Sequence, residues 1–160
     1  MPNGSITAIG TDRRPILLAD DNPDDVLLIR LALEKSGFHN QLMVVRNGEQ
    51  VLMYLNGEGP YANRARFPIP RLLLLDVTMP GMSGLDVLGW VRRQREWSHL
   101  PAFILSGCPD EAVARRAYQL GAQDFLIKPV EFNELVAAVR RVGEFWLRAR
   151  TTDLQQRWAA

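Results

Sequence analysis

Asp20, Asp21, Asp76, Ser106 and Lys128 are the residues of this chain whose types suit chemistry, and each group directly follows a short apolar run. "PILLA" ends at Asp20 and Asp21, "LLLL" at Asp76, "PAFIL" at Ser106 and "DFLI" at Lys128. If the runs are neighbouring strands ending on one edge, then carboxylates, a hydroxyl and an ammonium converge there. Clustered carboxylates repel and raise one another's pKa unless a cation neutralises them. A hard cation held by a few carboxylates and water is the habit of Mg²⁺. Each residue alone has a plainer reading. An Asp at a strand end suits a turn or a cap, Ser106 before Gly107 is an ordinary loop start, and a lone lysine is usually solvated. Their joint placement weakens those readings.

The elements that must position these residues are legible in the patterning. Strands are expected at 15–19, 41–46, 71–75, 101–105 and 124–127, because each run is apolar and too short for a helix. Helices are expected at 23–36, 48–56, 84–96, 109–120 and 131–149. Asn22 before Pro23 is a helix start with Asp24 and Asp25 in its first turn, and Gly37 and Gly121 are stops. Residues 57–70, "GEGPYANRARFPIP", read as a long loop rich in proline and glycine. Strands alternating with helices imply an α/β fold, a (βα)5 doubly wound parallel sheet covered on both faces. In such sheets function sits beyond the carboxyl ends of the strands, where these residues lie. The stretch 1–14 is expected to be an N-terminal tail, 15–149 the domain and 150–160 a C-terminal tail.

Composition narrows the function classes. At 160 residues the chain is the size of one ordinary domain. A net charge of +1 gives no global field toward nucleic acid or a membrane surface. A single cysteine, Cys108, excludes an intrachain disulfide and fits a reducing cytoplasm. The first residues lack the apolar core of a secretory signal, and no apolar run approaches a membrane span. His39 and His99 have no ligand partners nearby in sequence and read as loop or surface residues. A nucleotide or flavin site is disfavoured, because Asp20 and Asp21 stand where such folds place glycine or hydroxyl residues to cradle phosphate.

"LLADDN", "LLLLDVTMPGMSG", "ILSG" and "DFLIKP", in this order, resemble the receiver domain of two-component response regulators over about residues 15–143. The resemblance implies a flavodoxin-like strand order, 2-1-3-4-5. It implies that Asp76 accepts a phosphoryl group from the phosphohistidine of a sensor histidine kinase. Asp21 is then a direct Mg²⁺ ligand, Asp20 acts partly through water, and the Thr78 backbone carbonyl completes the protein ligands with Asp76. Ser106 takes the switch-hydroxyl position, Lys128 the lysine position before an expected cis Pro129, and Phe125 the aromatic switch position. Thr78 and Cys108 fall at positions that tune phosphate lifetime, and neither offers a strong water-orienting group. The 57–70 loop and the ending "KPVEFNELVAAVRRVGEFWL" resemble single-domain regulators paired with bacterial phytochrome-type kinases. That narrower likeness implies a homodimer through the face of the fourth helix, fifth strand and fifth helix.

No second domain fits after residue 143, so output by contact is expected. The last helix carries a core stripe at Phe132, Leu135, Val139, Val142 and Trp146. A second apolar set, Val136, Gly143 and Leu147, reads as a dimer or partner face. The first helix is apolar around Val26–Ile29 and Leu31–Leu33, and its outer side is a candidate kinase-docking face. The arginines of the last helix read as a solvated basic face, without nucleic-acid binding. Two rival readings remain: an Mg²⁺-dependent phosphohydrolase with an Asp nucleophile, and a degenerate receiver that only binds. The phosphohydrolase pattern wants a second Asp where Thr78 stands, and the intact set of site residues argues against degeneracy. The expectation is a phosphoacceptor that catalyses its own phosphorylation and dephosphorylation, not a turnover enzyme.

Overall fold

The chain alternates strand and helix: β1 (Ile16–Ala19), α1 (Pro23–Lys35), β2 (Leu42–Val45), α2 (Gly48–Asn56), a 3-10 turn (Gly59–Tyr61), β3 (Leu72–Asp76), α3 (Gly84–Arg93), β4 (Ala102–Ser106), α4 (Glu111–Gln119), β5 (Asp124–Ile127) and α5 (Phe132–Ala159). The computed structural model describes residues 13–128 and 131–159, the last stretch, from 146, by backbone alone. All strand pairs are parallel, and the sheet order is β2-β1-β3-β4-β5, as expected.

The leucine run of β3 serves two cores. Leu72 and Leu74 pack toward α1 and α5, while Leu73 and Leu75 pack toward α2, α3 and α4. Ile16 and Leu18 alternate with Leu17 and Ala19 in the same way, as do Phe103 and Leu105 with Ala102 and Ile104. Side chains along a strand point alternately to opposite faces, so a sheet covered on both sides has no position left for a polar residue until the strand ends. That is why the apolar runs are unbroken and why the polar residues gather at their ends.

Local signals set where the helices begin. The Asn22 side chain accepts hydrogen bonds from the amides of Asp24 at 2.9 Å and Asp25 at 3.4 Å. Ser83 and Asp86 form a reciprocal capping box at the start of α3. The Gly84 amide donates to the Val77 carbonyl at 3.1 Å, and any Cβ at Gly84 would collide with the Asp76 carbonyl oxygen. Glycine there lets α3 begin directly against the end of β3.

The 57–70 loop is a packed element. Tyr54, Tyr61 and Phe67 form an aromatic trio with ring centroids 5.3–6.1 Å apart. Tyr54 donates its hydroxyl to the Pro68 carbonyl at 2.8 Å. The Arg64 guanidinium donates to the last-turn carbonyls of α2, those of Tyr54 at 2.8 Å and Leu55 at 2.6 Å. Gly57 closes that helix with φ +65°, a left-handed conformation that suits glycine.

The last helix departs from expectation. It runs Phe132–Ala159, 28 residues, through the stretch expected as a tail. Leu135, Val139 and Val142 are buried and Phe132 partly so, as the core stripe requires. Val136 and Gly143, expected on an outward apolar face, are instead buried. Val136 is 3% exposed, and a Cβ at Gly143 would lie 3.4 Å from the Phe38 ring. The reason is that α5 is wedged between the sheet and the α1–Phe38 segment, so two of its sides are internal. The Trp146 and Leu147 side chains and residues 1–12 lie outside the described residues. Among those described, no helix is long and apolar enough to cross a membrane.

Removing the Arg64 side chain uncaps α2 and detaches the loop from it. We expect Arg64→Ala to lower the unfolding free energy by about 2 kcal/mol, read by urea denaturation, because charge-assisted hydrogen bonds to partly buried carbonyls are lost.

Candidate functional site

Asp76 and Ser106 end their strands, and the sheet ladder continues just past the strand ends beside the site. The Asp20 amide donates to the Val45 carbonyl at 3.0 Å, Val77 to Leu105 at 2.9 Å and Lys128 to Ser106 at 2.7 Å. Strand alternation then sorts the side chains. Asp20 and Asp76 follow the parity of Leu18 and Leu74, and Lys128 that of Leu126, all on the α1–α5 side. Ser106 follows Ala102 and Ile104, on the other side.

The result is an ion cluster. Lys128 Nζ lies 2.7 Å from Asp20 Oδ2, 2.9 Å from Asp25 Oδ2 and 3.3 Å from Asp76 Oδ2. Carboxylate oxygens of Asp20, Asp21 and Asp76 all lie within 4.8 Å of one another, a hard-oxygen donor set that fits a divalent cation. Asp20 already has both oxygens engaged, Oδ1 by the Asn22 amide at 3.0 Å and Oδ2 by Lys128. Asp21 is exposed at the mouth of the cluster, where it can reach a cation directly. Thr78 is exposed, and its amide donates to Asp76 Oδ1 at 3.4 Å.

The electrostatics follow from burial. Desolvation pushes the Asp76 carboxyl up to about 6, with the Lys128 charge opposing and the Asp20 charge reinforcing. Burial alone would pull the Lys128 ammonium down. The hydrogen bonds it donates to Asp20 and Asp25 and the charges of Asp20 and Asp76 outweigh it, and its pKa is raised.

Ser106 and Phe125 stand apart from the ion cluster. The Ser106 hydroxyl donates to the Cys108 carbonyl at 2.9 Å and accepts from the Cys108 amide at 3.2 Å. It is satisfied within its own loop. Phe125 is 9% exposed and packs in the core beside Ala117 of α4. Its amide donates to Asp124 Oδ1 at 2.8 Å and Tyr118 Oη at 3.2 Å. Cys108 is exposed. Pro129, with its expected cis bond, lies outside the described residues.

Asp25 is the residue that the sequence reading passed over. An acid in a first helical turn is already explained by the helix dipole, so nothing flagged it. The available signal was parity: Asp20, Asp76 and Lys128 share the face that α1 covers.

Residues 16–140 match the family model for the response regulator receiver domain. The chain is similar to RPA3017, a response regulator in red light signaling of R. palustris, at 30% identity and TM-score 0.78, covering 83% of this chain and 93% of that one. It is similar to the phosphorylated cyanobacterial phytochrome response regulator RcpA at 31% identity and TM-score 0.76, covering 85% and 95%. The Mn(2+)-bound response regulator Rcp1 matches at 28% identity and TM-score 0.74, covering 84% and 94%. By sequence, Rcp1 of Synechocystis sp. matches at 28% identity over 136 residues, 85% of this chain and 90% of Rcp1.

The raised Asp76 pKa fixes a pH dependence of the metal-free protein. The folded value of about 6 exceeds the ordinary 3.8, so the folded state holds the proton longer than the unfolded chain. Stability therefore falls as pH rises from about 4 through about 7. We expect Asp76→Asn to remove this loss and to be more stable than wild type by about 1–3 kcal/mol at pH 7.5. The gain vanishes near pH 4. Urea denaturation in the presence of a chelator, at both pH values, reads it.

Proposed function

This chain belongs to the response regulator receiver domain family, and on that premise we propose that Asp76 accepts a phosphoryl group from the phosphohistidine of a sensor histidine kinase in a Mg²⁺-dependent reaction. One observation carries the reading: the Asp20, Asp21 and Asp76 carboxylates and the Lys128 ammonium meet at one sheet edge. An Asp76 oxygen forms a bond to phosphorus as the phosphorus–nitrogen bond breaks, and the electron pair leaves with the imidazole. Phosphoryl transfer asks the protein for positioning and charge neutralisation more than for covalent help. Mg²⁺, when bound, relieves the repulsion between the carboxylates and the incoming phosphoryl oxygens. Asp20, Asp21, Asp76 and the Thr78 carbonyl are the residues that would hold it. Lys128 neutralises a second phosphoryl oxygen.

Ser106 takes a third oxygen once its hydroxyl releases the Cys108 carbonyl, which pulls the β4–α4 loop inward. Phe125, already packed against α4, repacks with that loop, and the face of α4, β5 and α5 changes shape. Signalling is then a population shift between two packings. Thr78 and Cys108 offer no acid or amide side chain to orient a water, so they set phosphate lifetime by access. The protein catalyses its own phosphorylation and dephosphorylation without being a turnover enzyme.

The partners follow from the exposed surfaces. Leu27, Leu28 and Leu31 are exposed on the outer side of α1, a face suited to docking a kinase. The named likeness to phytochrome response regulators favours a phytochrome-type kinase, hence a cytoplasmic setting. Tyr118 and Ile127 are exposed on α4 and β5, and Arg141 of α5 pairs with Asp124 at 3.3 Å. That surface, in place of Val136 and Gly143, is where a homodimer would form.

Incubation with acetyl phosphate and Mg²⁺ should add one phosphoryl mass to wild type and none to Asp76→Asn, with Lys128→Ala slower by about 100-fold. A wild type without adduct overturns the reading. Beryllofluoride with Mg²⁺ should shift the protein toward a dimer in light scattering; a monomer with and without it refutes the self-association.

A further inference from the structure

The Lys128 ammonium has three N–H donors and three carboxylates around it, from Asp20, Asp25 and Asp76. A phosphoryl oxygen on Asp76 is a further acceptor for the same donors, so one present partner must yield. The three carboxylates differ in what losing the ammonium would cost them. The Asp20 side chain is 0% exposed, and a buried carboxylate stripped of its counter-ion carries a large desolvation penalty. The Asp76 carboxylate is the one to be phosphorylated, so its own charge is altered in the reaction. The Asp25 side chain is 33% exposed, and water can replace the ammonium there. Asp25 also lies outside the group of carboxylates that fit a cation, Asp20, Asp21 and Asp76. No cation ligation would compete for it. Its backbone is fixed in the capped first turn of α1, so its carboxylate meets Lys128 from a rigid support.

We propose that Asp25 is a positioning residue that holds Lys128 in reserve: it is the exchangeable counter-ion of the ammonium and gives it up to the phosphoryl oxygen on Asp76. This inference rests on the function proposed above. Asp25 keeps the ammonium aimed into the cleft between phosphorylations, and its charge opposes the approach of an anionic donor. Phosphorylation therefore breaks the tie between α1 and the end of β5.

The test compares Asp25→Asn, Asp25→Glu and Asp24→Asn with wild type. Asp24→Asn removes the same charge from the same helical turn at an exposed position and controls for the helix dipole and for net charge. The readout is intact-mass phosphorylation by acetyl phosphate at saturating Mg²⁺, resolved into maximal rate and donor half-saturation. Asp25→Asn should raise the ratio of rate to half-saturation about fivefold, the scale of one unit charge removed within a few ångströms of the reacting anion. Asp25→Glu and Asp24→Asn should stay near wild type. In ¹⁵N spectra, the Lys128 Nζ resonance of wild type should move on adding beryllofluoride and Mg²⁺, and that of Asp25→Asn should start nearer the bound position. An Asp25→Asn rate equal to or below wild type, or matched by Asp24→Asn, overturns the inference and leaves the proposed function standing. A wild type that takes no phosphoryl group overturns both.

Discussion

One ammonium among carboxylates organises this structure. Lys128 reaches from the end of β5 across the edge of the sheet to Asp20 at the end of β1, Asp76 at the end of β3 and Asp25 at the start of α1. Without it, several carboxylates would share a small, half-dry volume and repel one another. With it, the cluster still carries more negative than positive charge. That residue of negative charge suits the edge to a cation, while burial, with the Asp20 charge adding to it and the Lys128 charge opposing, is why Asp76 clings to its proton to about 6. Fold stability and site chemistry are in tension here: the same burial that makes Asp76 costly to ionise keeps the edge dry enough for charges to act strongly.

The fold can hold such a cluster because it is rigid immediately behind it. β1, β3 and β4 are buried on both faces, and their ladder bonds run on past the last apolar residue. Gly84 lets α3 start against the Asp76 carbonyl, so the strand end is clamped from the far side as well. The packed 57–70 loop closes the α2 side, with Arg64 standing in for the next helical turn. On the proposed mechanism, the changes are confined to side chains and the β4–α4 loop, where the Ser106 hydroxyl rests on Cys108. The site divides by strand parity: the ion cluster lies toward α1 and α5, while Ser106 and Phe125 face α4. The relay proposed for Ser106 and Phe125 therefore lies on the side of the sheet that faces α4.

The elements and the edge were legible because each rests on local physics. Unbroken apolar runs can only be strands covered on both faces, a cap such as Asn22 announces its helix, and a polar residue after such a run must lie at the carboxyl edge. Asp20, Asp21, Asp76, Ser106 and Lys128 could be placed together on those grounds. The helix over 131–149 was legible in its core stripe, but its second face was not. Val136 and Gly143 read as outward because a helical wheel shows which residues share a side, not how many sides are covered; Phe38 and α1 cover them.

The sequence by itself determined the order of strands and helices, the double-faced core and the residues available at the strand ends, because periodicity and capping act within a few residues. Only the tertiary structure decided which of those residues touch. Asp25 meets Lys128 across 103 positions of sequence, and Asp20 meets it across 108. Those contacts depend on the angle at which α1 lies over the sheet and on the register of β5 beside β4. Neither is written in any single segment; both are settled by how the two cores pack.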